Sequence, residues 1–440
     1  MKLSACQIAL CVLLSCACSL RAAQPSANAD KRGEYTVSTS VNDQYNYHVY
    51  VPESYDPQKG AGIHLFFHGR GKGGGIDTLN RWKKEFADPF GLILINMQYL
   101  DGRNQIDTAG KVKAAQEAIQ QVMADYHVIP GRGVIASFSG GGVTVGMWYR
   151  DHGNDYPSID WPFSCVTLYG SNFWTSPSVN GGFTHSSGAT IKPTREIAWF
   201  IAVGEDEWLK GDPVLGDTGI DAAVDLANGV RQGGFDFVFR TEHGKAHTIT
   251  EADRQAAAAL FRRHDLTYGP FVYSPQFTDS AIQPLAQRAN ALQLGYVLKS
   301  LDKTLSNDKI SEDTRKQAEL LKAQVEERAA AVLALGKELQ EKDPLLFLNY
   351  QKQIEGQLKD TPQEDEWKQV VQAYKKSGKD AEVKRAVTTL LRVFPKLFAP
   401  RTPGVPAEAV PNLEAMVPMF GPESSYGVMI TEWLAVPPRS

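Results

Sequence analysis

The sequence is short of cysteine beyond its first twenty residues. Of its five cysteines, four lie at positions 6, 11, 16 and 18, and the fifth is Cys165. A single remaining thiol cannot form an internal disulfide framework, so packing must stabilise the folded part of the chain. Cys165 lies within the apolar run of residues 163–168, which predicts a buried core thiol rather than a nucleophile.

The sequence also lacks an excess of charge of one sign. Its 46 basic and 50 acidic residues give a net charge of -4, which offers no general attraction to nucleic acid or to an anionic membrane surface. With 42% hydrophobic and 22% charged residues, the chain is neither disordered nor a multispan membrane protein. We therefore expect a local site for a small-molecule or polysaccharide substrate, and no nucleic-acid partner.

Long hydrophobic runs are absent as well. The apolar stretch of residues 8–14 follows Lys2 and is too short for a membrane span, as is typical of a secretory leader. We expect a signal peptide over residues 1–29 and an exported protein, either periplasmic or secreted. Residues 13–16, Leu-Leu-Ser-Cys, also resemble a lipoprotein box, so a lipid anchor on Cys16 stays open.

The second part of the chain has no histidine and little glycine. All nine histidines lie at or before His264, and residues 281–395 hold only four of the 38 glycines. This composition favours amphipathic helices with solvated faces. The helices are expected at residues 286–306, 312–339, 344–358, 363–377 and 379–393. The predicted organisation is an α/β domain over 30–266, a linker over 267–280, a helical domain over 281–398 and a proline-rich tail over 399–440. The helical domain would pack on the first domain or bind a protein partner.

Strand and helix patterns alternate in the first domain. Two alternating runs, residues 34–40 and 45–51, predict an antiparallel start. Continuous apolar runs of the buried parallel type follow at residues 63–67, 92–96, 133–137, 163–169, 198–203 and 235–239. Amphipathic helices are predicted at residues 77–86, 111–126, 141–150, 220–232 and 250–264. The fold class is therefore α/β, a sheet with helices on both faces, and its ligands should bind at the carboxyl ends of the strands.

The sharpest motif follows the third of these apolar runs. Residues 134–143, Val-Ile-Ala-Ser-Phe-Ser-Gly-Gly-Gly-Val, read as a strand, a tight turn of small residues and the start of a helix. In a G-x-S-x-G nucleophile elbow, small residues let the strand pack closely against the helix. Ser137 takes the first glycine position and Gly141 the second, so Ser139 is the candidate nucleophile. A plain strand-to-helix turn with a capping serine is the alternative; a phosphate loop would need a lysine after the glycines.

A second glycine-rich loop follows the strand predicted at residues 63–67. It reads His-Gly-Arg-Gly-Lys-Gly-Gly-Gly over residues 68–75. In hydrolases with an elbow, amides of such a loop and of the residue after the nucleophile bind the oxyanion. The candidate donors are Arg70 or Gly71 together with Gly140. His68 itself is expected to have a structural role, and the alternative for the whole run is a flexible surface loop.

An acid and a base are expected after the last two strands. The strand of residues 198–203 ends in Gly-Glu-Asp-Glu, where spacing points to Glu207 and residue type to Asp206. His247, just before the next predicted helix, is the candidate general base, with His243 as its competitor. No further ligand at metal-site spacing accompanies these histidines, so neither a metal nor a cofactor is predicted.

Together these residues resemble a known group. Residues 45–264 are similar to the α/β-hydrolase superfamily, and within it to the secreted feruloyl esterases, acetyl xylan esterases and polyhydroxybutyrate depolymerases. The resemblance implies an α/β-hydrolase sheet and ester hydrolysis through an acyl-enzyme without metal or cofactor. The sequence departs from the family pattern in the serine at position 137 and in an acid that is not unique.

The expected function is that of an exported serine esterase, with feruloyl or acetyl esters on polysaccharides as candidate substrates. Phe173, Trp174 and Trp208 could form an aromatic wall for a phenolic acyl group or a sugar, although such rings could equally pack the polar insertion between two strands. A serine peptidase of the same fold and a non-catalytic binding protein with a decayed hydrolase domain are the alternatives.

Overall fold

The protein is described by a computed structural model. It describes residues 31–41, 43–73, 75–101, 107–171, 175–177, 183–185, 190–191, 196–204, 237–242, 244–397 and 405–438. The expected signal peptide and Cys16 lie outside these residues. In the described ranges, none of the helices has both the length and the hydrophobicity that a membrane span requires.

A mostly parallel sheet of eight strands forms the centre of the α/β part. The strands are β1 (Gly33–Ser38), β2 (Asn46–Val51), β3 (Ala61–Phe67), β5 (Leu92–Gln98), β7 (Val128–Phe138), β8 (Cys165–Tyr169), β12 (Ala198–Gly204) and β13 (Phe237–Glu242). Their order is β1-β2-β5-β3-β7-β8-β12-β13. The pairs β1–β2 and β2–β5 are antiparallel and the others are parallel. This arrangement confirms the predicted α/β-hydrolase sheet with its antiparallel start.

Five shorter strands are described outside the large sheet. They are β4 (Gly71–Lys72), β6 (Leu100–Asp101), β9 (Thr175–Pro177), β10 (Phe183–His185) and β11 (Thr190–Ile191). The strands β4 and β6 form an antiparallel ribbon. This ribbon continues the glycine-rich loop after β3 and holds it against the end of β5.

Helices cover both faces of the sheet. They are α1 (Asp77–Trp82), which continues as a π-turn into α2 (Asp88–Phe90), then α3 (Thr108–Asp125), α4 (Gly141–His152) and α5 (Glu251–Tyr268). On one face, Trp82 and Phe86 pack with Phe261 of α5. On the other face, Ile119 of α3 and Trp148 of α4 belong to a separate core.

The remaining helices follow α5. They are α6 (Gln283–Asn290), α7 (Leu294–Leu305), α8 (Glu312–Lys342), α9 (Pro344–Leu358), α10 (Glu364–Lys376), α11 (Lys379–Leu397), α12 (Val410–Phe420) and α13 (Ser425–Ala435). The helices α6 to α10 share a second core with Val272 and Phe277 of the expected linker. The single helix expected over 286–306 is two helices, because Leu292 adopts a left-handed conformation with φ 59°.

The last two helices pack on the sheet. Phe420, Met429 and Trp433 of α12 and α13 belong to the same buried core as Phe237 and Phe239 of β13. They lie in the segment expected as a proline-rich tail, and they cover the end of the sheet that carries its last strand.

Candidate active site

Ser139 lies at a strained turn between β7 and α4. Its φ of 51° is in the left-handed region, which non-glycine residues seldom adopt. Its backbone N–H donates to the carbonyl of Tyr169 at 3.1 Å, and its own carbonyl accepts from the N–H of Gly142 at 3.1 Å. The half-buried hydroxyl is therefore carried at the carboxyl end of a central parallel strand, as in a nucleophile elbow.

The residues around this turn explain its sequence. A methyl group on Gly141 would lie 2.5 Å from the carbonyl oxygen of Phe67, so only glycine lets α4 start so close to β3. Ser137 is buried, and its hydroxyl lies 3.0 Å from that of Ser171. The Ser171 hydroxyl also contacts the carbonyl of Ser137 at 2.9 Å. A serine therefore fits where the motif has glycine, because a neighbouring strand end supplies polar partners.

The loop after β3 lies against Ser139. A methyl group on Gly69 would lie 3.0 Å from Cβ and 3.5 Å from Oγ of Ser139. The backbone nitrogen of Arg70 lies 3.7 Å from the position that a Cβ of Gly140 would occupy. Gly71 follows in the left-handed region, with φ 88°, and enters the β4 strand. The structure thus brings the backbone of Arg70 next to Gly140, the residue after Ser139.

His68 lies beneath this loop. Its ring stacks on that of Tyr99, with 3.8 Å between centroids. Nδ1 lies 2.6 Å from the carbonyl oxygen of Gly69, and Nε2 faces the backbone N–H of Tyr99 at 3.4 Å. A neutral ring with its proton on Nδ1 satisfies both contacts. The Tyr99 hydroxyl donates to the carbonyl of His68, so this histidine holds the loop in place, as expected from the sequence.

His247 lies beside the elbow. Its exposed ring is 4.6 Å, centroid to centroid, from that of Phe138, the residue that precedes Ser139. The backbone leading to His247 packs closely on the end of β12. The contact is so close that a methyl group on Gly204 would lie 2.3 Å from the carbonyl oxygen of Lys245. The ring is thus held between the elbow and the strand after which an acid is expected.

A buried ionic cluster fixes the segment that carries His247. The carboxylate of Asp253, fully buried in α5, accepts from Nζ of Lys245 at 2.5 Å, from the N–H of Thr250 at 3.0 Å and from Arg240 at 3.3 Å. The Asp253 N–H donates to the Thr250 hydroxyl, which completes a capping box. Arg240 also pairs with Glu432 of α13 through a bidentate contact. Both ends of the His247 segment are therefore tied to one carboxylate.

Sequence reasoning missed this cluster. The spacing Thr250-x-x-Asp253 before an apolar run is a readable capping signal. The contacts to Lys245, Arg240 and Glu432 depend on the tertiary fold and leave no trace in local sequence.

Several sequence-predicted site residues lie outside the described residues. They are the candidate acids Asp206 and Glu207, the competing base His243, and the aromatic candidates Phe173, Trp174 and Trp208. The site that the structure describes therefore consists of the Ser139 turn, the Gly69–Gly71 loop and the His247 segment.

A separate group of possible metal ligands lies away from this site. His152, Asp155 and Asp160 place one ligand atom each within 4.8 Å of one another. His152 ends α4 whereas Ser139 precedes that helix, which puts the two about 18 Å apart along its axis. The candidate active site and this group are thus distinct.

Comparisons with known proteins add only distant structural similarity. Neither a protein-family model nor a curated protein matches the sequence. Esterase 2 from Thermogutta terrifontis is similar over 53% of this chain and 90% of its own, at 16% identity and a TM-score of 0.37. A dienelactone hydrolase from Anabaena variabilis covers 52% of this chain and 96% of its own, at 15% identity and a TM-score of 0.35. A ferulic acid esterase covers 52% and 98%, at 16% identity and a TM-score of 0.36. At these values the neighbours carry no information about the reaction, and the fold assignment rests on the strand order itself.

Proposed function

We propose that this chain is a serine esterase that hydrolyses carboxylic ester bonds through an acyl-enzyme. The observation that carries the proposal is the left-handed conformation of Ser139 between a central parallel strand and a helix. Holding a side chain in such a conformation costs about 1 to 3 kcal/mol, and such strain clusters at reactive sites. The loop containing Gly69 and the ring of His247 flank this serine, as a hydrolase site requires.

The reaction would use these groups in two steps. His247 takes the proton of the Ser139 hydroxyl while Oγ bonds to the ester carbonyl carbon, and the carbonyl oxygen becomes an oxyanion. The N–H of Gly140 and that of Arg70 or Gly71 donate to this oxyanion. The carbon–oxygen bond to the alcohol then breaks, and the alcohol leaves with the proton from His247. Water attacks the acyl-enzyme by the same route and releases the acid.

An acid must orient His247 and stabilise its protonated form. Asp206 and Glu207 follow β12 in the sequence, and the end of β12 lies under the backbone of Lys245. This proximity supports an acid from that segment and leaves the choice between the two residues open.

Covalent labelling tests the proposal. A fluorophosphonate probe should modify Ser139, and Ser139→Ala should abolish both labelling and hydrolysis of p-nitrophenyl acetate while the circular dichroism spectrum is unchanged. Ser137→Ala is the matched control, because it removes a neighbouring buried hydroxyl and should leave Ser139 labelled. Full esterase activity in Ser139→Ala would refute the proposal. No labelling of the wild-type chain would instead favour a binding protein with a decayed site.

The natural substrate and the location of the enzyme belong to the same proposal. An exported enzyme without an apolar lid signal suits feruloyl or acetyl esters on polysaccharides, and a panel of these esters with peptide and polyhydroxyalkanoate substrates would separate the classes. Mass analysis of the mature N-terminus would show either cleavage before Asp30 or a lipid on Cys16.

A further inference from the structure

The side chain of Arg70 lies over the residue that follows Ser139. A methyl group on Gly140 would lie 3.0 Å from Cγ and 3.8 Å from Nε of Arg70. The side chain is half-buried, so its aliphatic part packs against the turn. The Nε end of the guanidinium is therefore held beside Gly140, next to the proposed nucleophile.

This guanidinium has no acceptor within the part of the chain that the structure describes. Its Nε is buried there without a hydrogen-bond partner, and none of the described carboxylates forms an ion pair with it. Every other described arginine that is buried or half-buried has an oxygen acceptor or an ion-pair partner. These are Arg32, Arg132, Arg150, Arg240, Arg254, Arg262, Arg263, Arg315 and Arg328. Arg70 thus differs from them in carrying a charge that the described protein does not neutralise.

A half-buried arginine without an acceptor among the described residues is unfavourable unless something else supplies one. A buried N–H without a partner loses its hydration, and its charge interacts more strongly there than in bulk water. The planar guanidinium matches the geometry of a carboxylate, and such charge-assisted contacts are stronger than neutral ones. A substrate carboxylate would therefore meet a positive group beside Gly140, the residue that follows Ser139.

We propose that Arg70 binds an anionic group on the substrate, so that the preferred esters carry a carboxylate close to the scissile bond. This inference rests on the proposed esterase function and names the substrate class of the same site. The backbone N–H of Arg70 can serve the oxyanion while its side chain selects the substrate. Arg70 would thus bind the substrate carboxylate with its side chain and the oxyanion with its backbone N–H.

Two matched substrate pairs test the inference. Monoethyl glutarate and ethyl glutaramate differ only in a carboxylate and a neutral amide on the acyl side. The 4-carboxyphenyl and 4-carbamoylphenyl acetates differ in the same way on the alcohol side. With the wild-type chain, kcat/KM should be about 10- to 100-fold higher for the anionic member of at least one pair. Added salt should reduce that ratio.

Substitutions then assign the preference to Arg70. In Arg70→Met the ratio of kcat/KM between the anionic and neutral esters should fall to near one, and Arg70→Lys should keep part of it because the charge remains. Arg81→Met is the matched control, because it removes the same charge from an exposed position on α1 and should keep the ratio. The ratio is the readout, so an equal loss on both esters leaves the preference intact and contradicts the proposed role of Arg70.

Failure of this inference is distinguishable from failure of the proposed function. If the wild-type chain hydrolyses both members of each pair equally and Ser139 is labelled, the esterase assignment stands and the role of Arg70 is wrong. A preference that survives in Arg70→Met would overturn that role as well. If no ester is hydrolysed and Ser139 is not labelled, both are wrong.

Discussion

His64 is a buried histidine that must stay neutral in the folded chain. It lies on the central strand β3 between the rings of Trp82 and Phe86, at 4.9 and 4.8 Å. Both ring nitrogens are buried without a hydrogen-bond partner among the described residues. Burial lowers the pKa of His64 from 6.5 to about 3. Protonating this ring is therefore unfavourable in the folded chain, where it is buried, and not in the unfolded chain, where water surrounds it.

This pKa predicts a pH-dependent stability. Between pH 6.5 and 3 the unfolded chain binds a proton that the folded chain does not, so the contribution of His64 falls as the pH falls and is constant above 6.5. At pH 5 the loss amounts to about 2 kcal/mol. In His64→Leu this loss should disappear. The difference in the free energy of unfolding between the variant and the wild type should therefore shift in favour of the variant by about 2 kcal/mol from pH 7.5 to pH 5. Urea titrations at the two pH values measure it, and the same pH dependence in both proteins would contradict the prediction.

The sequence predicts single residues well where neighbouring residues in the chain determine their position. The turn that carries Ser139 could be predicted because small residues surround it in a strand-turn-helix pattern, and the place of His247 because it precedes a helix after the last strand. The desolvated ring of His64 and the lack of an acceptor for Arg70 among the described residues could not be predicted, since both depend on which distant side chains enclose them.

The segment from Lys245 to Thr250 acts as a unit anchored at both ends. Asp253 is fully buried and holds Nζ of Lys245 at 2.5 Å and the N–H of Thr250 at 3.0 Å. Removal of one partner from a buried ion pair leaves a charge that is poorly compensated, which costs more than the pair contributes. The position of His247 therefore depends on residues that do not touch the substrate.

Lys245→Met should lower both stability and activity. We expect the free energy of unfolding to fall by about 3 kcal/mol and kcat to fall more than KM changes, because His247, the proposed base, is no longer held against the elbow. Urea unfolding and steady-state kinetics measure the two effects. Lys84→Met is the control, because it breaks an exposed ion pair with Glu251 at 2.9 Å at the start of the same helix and should leave the unfolding midpoint unchanged. The same unfolding midpoint and the same kcat in the two variants would contradict the role of Lys245 in holding the His247 segment.

Elements with long apolar runs could be predicted well from sequence. The strand at residues 198–203 is observed as Ala198–Gly204, and the helix expected over 344–358 is observed as Pro344–Leu358. The break at Leu292 could not be predicted, because neither glycine nor proline marks it. The sequence did not predict the helices Val410–Phe420 and Ser425–Ala435, because prolines in this segment argued against helix. Pro411 is nevertheless tolerated, because it lies in the first turn of its helix.

The helices α12 and α13 complete the core around the large sheet. Phe237 and Phe239 of β13 share a core with Phe420, Met429 and Trp433. Without α12 and α13, one face of the last strand would expose its aromatic side chains to water. The sequence left open whether the segment over 399–440 packs back onto a domain or is irregular, and in the structure two helices of this segment pack on the sheet.

A chain that ends after residue 404 should therefore fail to form a stable sheet. We expect aggregation or a species that binds a hydrophobic dye and shows no cooperative thermal transition, because the aromatic surface of β13 is uncovered and Arg240 loses Glu432. Size-exclusion chromatography and differential scanning calorimetry test this expectation. A chain ending after Val436 keeps both helices and serves as the control. A soluble shorter chain with full esterase activity would show that the two helices are dispensable.

The pairing of Arg240 with Glu432 spans 192 positions of the chain. Contacts of such long sequence separation form late in folding, because a large loop must close before they are made. During synthesis, the helix carrying Glu432 can reach β13 only after the 192 positions between the two residues have been made. Until then the aromatic residues of β13 would stay exposed, so chaperones could bind the incomplete sheet and proteases could cleave it. If the proposed esterase needs this contact, its activity would appear only after the helix Ser425–Ala435 has been made.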